Sequence, residues 1–204
     1  GHGGEPTAQI LRLDLSETGL DGDALRALGA SPRVRALEYL CLSRNPAIGE
    51  AADDALGAML VALPSLTALH VQRCSLSGAA SASIGASLSS GAHVALAELK
   101  LDDNPGLLAP PAFIHSGFCT RVEYEHAHSS PIASHAHVRS FTEGIAACTA
   151  LRKLSLGSCD LSDAHVDAMC RAVESGAAPS ALTELDVRQN ALTASGASEL
   201  LRVH

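Results

Sequence analysis

The chain has 204 residues, of which 47% are hydrophobic but only 2% aromatic, and its net charge is −8. That size suits one elongated domain with a core of leucine and alanine. No run of 18 apolar residues offers a membrane span, and 14 lysines and arginines without a basic stripe argue against nucleic acid as a partner.

In chain order, residues 1–9, opening with Gly1-His2-Gly3-Gly4, read as disordered or cloning-derived, and 10–204 as one repetitive domain. Ile10, Leu13, Leu15, Thr18 and Leu20 set a frame. Apolar residues hold positions 1, 4, 6 and 11, and Asn, Cys or Thr holds position 9. The frame returns at Leu37, Leu40, Leu42, Asn45 and Ile48, then at Leu66, Leu69, Val71, Cys74 and Leu76. A fourth block has Leu96, Leu99, Leu101 and Asn104, closed by Leu107 or Leu108. The clean copies are Leu151, Leu154, Leu156, Cys159, Leu161 and Leu182, Leu185, Val187, Asn190, Leu192. A degenerate block is expected between the fourth block and these copies, with Cys119, Val122 and Tyr124 at positions 1, 4 and 6 and Ala127 where Asn belongs. First positions are then spaced by 27, 29, 30, 23, 32 and 31 residues, which predicts about seven repeats.

Alternation at positions 4 to 6, as in Leu154-Ser155-Leu156, predicts a short strand with one buried face. A buried Asn at position 9 can bond backbone groups of its own turn and of the neighbouring repeat. Helical spacing comes next at Ala51–Leu60 and at Ala164–Val173, with Ser162 as the expected N-cap. Ser77, Ser81 and Ser83 make the third helix Ser-rich, and Pro110-Pro111 is expected to disrupt the fourth.

These blocks resemble the leucine-rich repeat family, in its ribonuclease-inhibitor-like class with long repeats. The resemblance implies an α/β solenoid, a horseshoe arc with a parallel concave β-sheet and convex helices. It covers nearly the whole chain and speaks for fold more than for function, because the fold hosts unrelated partners. The last helical segment ends at Arg202-Val203-His204 without a polar capping repeat, so the sequence reads as a fragment of a larger protein.

Residues 105–141 break the rhythm. His126 and His128, then His135 and His137, have metal-ligand side chains, but neither a strand that is ending nor a helix aims such pairs at one ion. The segment reads as a solvated irregular repeat without a metal, and as a candidate partner-specific insertion. Six cysteines show no disulfide framework: Cys74 and Cys159 are repeat positions, and Cys148 and Cys170 lie on helix faces. Reduced thiols point to an intracellular, cytoplasmic protein. No phosphate loop, nucleophile elbow, zinc-protease motif or C-x-x-C is present, so the expectation is a non-enzymatic chain without a cofactor.

Function is then sought on the concave face. Position 5 would carry Asp14, Cys41, His70, Lys100, Glu123, Ser155 and Asp186 down its middle. Mixed charge suits a protein or peptide partner. Tyr39, Arg44 and Arg73 are the preferred anchors, with His70, Lys100, Asp102 and Glu123 completing the candidate partner-binding set. Self-association through exposed terminal repeats is a further expectation. The alternatives are a GTPase activator similar to the Ran GTPase-activating proteins, whose acidic tail this chain lacks, and a structural or cytoskeletal docking segment.

Overall fold

The computed structural model describes residues 9–51, 54–91, 95–109, 136–175 and 181–203. Strands and helices alternate: β1 (Arg12–Asp14), α1 (Gly22–Ala30), a 3-10 turn (Pro32–Val34), β2 (Tyr39–Cys41), α2 (Ala47–Ala51), α3 (Ala55–Ala62), β3 (Ala68–His70), α4 (Gly78–Ser89), β4 (Glu98–Lys100), α5 (Ala136–Ala147), β5 (Lys153–Ser155), α6 (Asp163–Ser175), β6 (Glu184–Asp186) and α7 (Ala194–Val203). The six strands form one sheet in chain order, and every neighbouring pair is parallel. This is the α/β repeat solenoid that the spacing predicts.

Each strand spans positions 3 to 5 of its repeat, and the leucine at position 4 turns inward. Register lines up Leu13, Leu40, Leu69, Leu99, Leu154 and Leu185 as one row. The four inner members are at most 1% exposed. Leu13 and Leu185, on the outermost strands, are only partly buried against the core. Burying each inner leucine contributes about 1.5–3 kcal/mol, so stacked neighbours supply the core that no single repeat holds.

The turns after the strands are held by an alternating ladder. Asn45 Nδ2 donates to Leu15 O at 2.9 Å and Leu42 O at 2.8 Å, while its Oδ1 accepts from Thr18 N and Leu20 N. Asn104 makes the same four bonds to Val71 O, Leu101 O, Cys74 N and Leu76 N. Asn190 repeats them with Leu156 O, Val187 O, Cys159 N and Leu161 N. Each asparagine therefore satisfies the turn of the preceding repeat, which carries only Thr18, Cys74 or Cys159. The two thiols reach one repeat further back, to Leu42 O and Leu101 O, both at 3.2 Å. Burial pushes these thiols up, Cys74 to about 11 and Cys159 to about 12, so they stay protonated donors.

Among the described residues the sheet has six rungs, where about seven repeats were expected. β4 pairs directly with β5, Leu99 opposite Leu154, and its other edge is taken by β3. The block at Cys119, Val122 and Tyr124 lies outside the described residues. The helix layer gives the physical reason for the direct pairing of β4 with β5. A Cβ added to Gly85 of α4 would stand 2.2 Å from Ser140 O of α5, and one added to Gly144 2.3 Å from Gly85 O. Backbones this close leave no room for another repeat. α5 is the next described element after β4, and the disruption expected at Pro110-Pro111 lies outside the described residues.

Local chemistry accounts for several helix starts. Asp21 accepts from Ala24 N to cap α1, and Ser77 accepts from Ala79 N and Ala80 N to cap α4. At α6 the cap differs from the simple serine expected. Ser162 N donates to His165 Nδ1 at 3.0 Å, so the imidazole fills the place of the glutamate in a capping box. The helical spacing at 51–60 is realised as two helices, α2 and α3. Asp54, before α3, makes no side-chain cap bond and instead pairs with Arg26 at 3.0 Å.

Candidate functional site: the polar face of the sheet

Positions 3 and 5 flank the buried leucine, so their side chains stand on the opposite, polar face of the sheet. On β1 to β4 they form a chain of contacts. The Arg12 guanidinium lies 4.3 Å from the Tyr39 ring centroid. Tyr39 and His70 meet edge to face at 5.1 Å, with Tyr39 Oη 3.3 Å from His70 Nδ1. His70 Nε2 lies 2.9 Å from Glu98 Oε1, which also holds Lys100 Nζ at 2.8 Å. An ionised Glu98 can only accept, so His70 donates from Nε2, and in the neutral imidazole Nδ1 then accepts a hydrogen bond from the Tyr39 hydroxyl. The hydrogen bond from Lys100 holds the Glu98 carboxyl below its ordinary value, aided by His70. Desolvation, reinforced by Cys41 and Asp14, raises the Tyr39 hydroxyl. Tyr39 is therefore a neutral, oriented aromatic.

Arg44 and Arg73 stand elsewhere. Position 8 is left-handed in every described repeat: φ is 58° at Glu17, 61° at Arg44, 56° at Arg73, 58° at Asp103, 54° at Ser158 and 55° at Gln189. The strain is offset because the amides of five of these six residues donate onward to the next repeat, as Arg44 N does to Gln72 O and Arg73 N to Asp102 O. Both arginines sit on an exposed rim, Arg44 paired with Glu17 and Arg73 with Asp103 at 3.0 Å. No hydrogen bond or ring contact joins either to Tyr39. Among the expected anchors, the structure brings together Tyr39, His70 and Lys100. Glu123 lies outside the described residues.

Asp102 is the outlier on this face, a carboxylate only 2% exposed. It lines a depression of ≈ 280 Å³ over β4 to β6, together with Gln72, Lys100, Lys153, Ser155, Glu184, Asp186 and Arg188. Sequence reasoning had Asp102 but passed over Gln72 and Arg188, which share its position 7. The missed signal was Gly157, the glycine of that row. A Cβ there would meet Asp102 Oδ1 at 2.8 Å and Arg188 Cγ at 3.1 Å, so a side chain at 157 would press on two residues that line the hollow.

The histidine segment reads differently too. His126, His128 and His135 lie outside the described residues. His137 lies in α5, is 8% exposed rather than solvated, and has Nε2 3.3 Å from Leu108 O. His165 Nε2 stands 3.3 Å from the same carbonyl. Among the described residues no group of three or more His, Cys, Asp or Glu could hold a metal ion. No helix there is long and apolar enough to cross a membrane.

With a strand and a helix in each unit and asparagines at alternate turns, the described residues have the architecture of a leucine-rich repeat solenoid. Residues 180–201, its last repeat, match the family model described as Leucine Rich repeat. No curated protein matches the sequence. Among solved structures, the chain is similar to the leucine-rich repeat-containing protein LegL7 from Legionella pneumophila, at 12% identity and a TM-score of 0.42. The likeness covers 96% of this chain and 62% of that one, so the chain spans less than two thirds of that protein's length.

Proposed function

We propose that the protein is a non-enzymatic interaction module, a scaffold or adaptor, that binds a protein or peptide on the polar, concave face of its sheet. The observation that carries this reading is the oriented row Arg12–Tyr39–His70–Glu98–Lys100, which crosses four strands without closing a catalytic pocket. An aromatic side chain fixed on a rigid sheet binds with little loss of conformational freedom. Exposed Arg44 and Arg73 at the rim add charge for encounter and register. A cytoplasmic location is supported by the thiols of Cys74 and Cys159, whose donated bonds need them reduced. Crosslinking capture with wild-type protein and with the double substitution Tyr39→Ala, Arg73→Glu tests the reading. The double substitution should lose the partner, while Arg139→Glu on α5 should keep it. Equal capture by all three proteins refutes the assignment to this face.

A second reading, self-association through terminal repeats, draws on β1 and β6, each with one edge unpaired among the described residues. Leu182, Leu185, Val187 and Leu192 are only partly buried there, and Ile10 and Leu11 are exposed. Light scattering across a concentration series tests it: a rising mass supports it, and a constant monomer mass refutes it.

A further inference from the structure

We infer that the depression over β4 to β6 is a socket for one basic side chain of the protein partner, a guanidinium or ammonium group seated on Asp102; this rests on the reading of the sheet face as the partner surface. A carboxylate offers about four acceptor sites. In Asp102, Oδ1 accepts from Ser155 Oγ and from Gly157 N at 2.9 Å, and Oδ2 accepts from Gln72 Nε2 at 2.7 Å. One site on Oδ2 therefore stays open among the described residues. Its ion-pair partner, Arg188 Nη2, stands 3.9 Å from Oδ1, beyond hydrogen-bond reach.

The charges around the hollow decide the sign of the ligand. Lys100 is held by Glu98 at 2.8 Å, Lys153 by Glu184 at 2.9 Å and Arg188 by Asp186 at 2.8 Å. Every base in the hollow thus has its own acid. Asp102 shares Arg188 with Asp186, so Glu98, Asp102, Glu184 and Asp186 are four carboxylates against three bases, and Asp102 is the one buried where water competes least. An anion would have to displace three carboxylates from their bases. A cation needs only to reach Asp102. The space, ≈ 280 Å³, is larger than a guanidinium and far smaller than a folded segment, so one side chain enters and the rest of the partner lies on the rim.

The test is a titration of the intact chain with N-acetyl-arginine amide, read from the backbone amides of Ser155 and Gly157 and the side-chain amide of Gln72 by NMR. N-acetyl-citrulline amide, of the same shape without the charge, is the control. The expected result is saturable shifts at these groups with the arginine compound and none with citrulline. Asp102→Asn should weaken binding about tenfold or more, since Gln72 can turn its amide to pair with the new side chain. Should that variant fail to fold, Ser155→Lys leaves Asp102 in place and fills the hollow with an ammonium group, and it should abolish binding. Equal shifts from both compounds, or wild-type affinity in a folded Asp102→Asn or Ser155→Lys protein, overturns the inference. The two levels separate cleanly. Loss of crosslinking capture by Tyr39→Ala, Arg73→Glu without arginine binding leaves the face and removes the socket. Arginine binding with capture unaffected does the reverse.

Discussion

The two halves of the sheet face use the same repeat positions in opposite ways. On β1 to β3 the row centres on one aromatic, Tyr39, with Ala68, Cys41 and His70 beside it and a cation over its ring. On β4 to β6 the same positions carry Glu98, Lys100, Lys153, Glu184 and Asp186, tied into pairs around a hollow. The backbone does not distinguish the halves, because register and ladder run through both. The difference lies in side chains whose identity the fold leaves free. A solenoid can therefore carry an apolar anchor and a charged socket side by side on one scaffold.

The largest expected effect comes from the ladder that makes the halves continuous. Asn104 is fully buried, and Asn104→Ala would orphan backbone groups in two turns. The urea midpoint should drop by an amount equivalent to about 2–4 kcal/mol. The exposed Thr18→Ala, at the same position of the first repeat, should lose no more than about 1 kcal/mol in the same measurement. Equal losses would show that the ladder is not what joins the halves.

Gly157→Ala sharpens the contrast from the charged side. Its Cβ falls against Asp102 and the flexible stem of Arg188, and the strain should cost about 1–3 kcal/mol in chemical denaturation. On the aromatic side, Tyr39→Phe keeps the ring under Arg12 but removes the bond to His70, for a loss of about 0.5–1.5 kcal/mol.

Acid joins the two halves through Glu98, whose carboxylate bridges His70 and Lys100. Its folded value lies below the ordinary 4.5, so its contribution is present above pH 4.5 and is lost as pH falls through the lowered value. Denaturation midpoints between pH 6 and pH 3 should fall, and Glu98→Gln should flatten that slope. The smallest effect belongs to the exposed pair Lys153–Glu184. Lys153→Ala should change stability by no more than about 1 kcal/mol, and less in high salt, in thermal melts.

Much of the fold was legible because its causes are local and periodic. Leu at position 4 and Asn at position 9 each demand one kind of environment, and repetition makes that demand readable. Tyr39, His70 and Lys100 could be placed on one face by counting residues alone, since side chains alternate along a strand. The degenerate block at Cys119 lies outside the described residues, while β4 pairs with β5 directly. A rung needs a free strand edge and a gap between helices, and Gly85 against Gly144 closes that gap.

The sequence by itself thus determined the repeat, the strand register and the identity of the polar face, since each arises from spacing and burial within a few residues. Tertiary structure alone decided the direct pairing of β4 with β5, the burial of His137 and the hollow at Asp102. Those depend on groups 55 residues apart, such as Asp102 and Gly157, whose meeting is set by stacking and not by any local pattern.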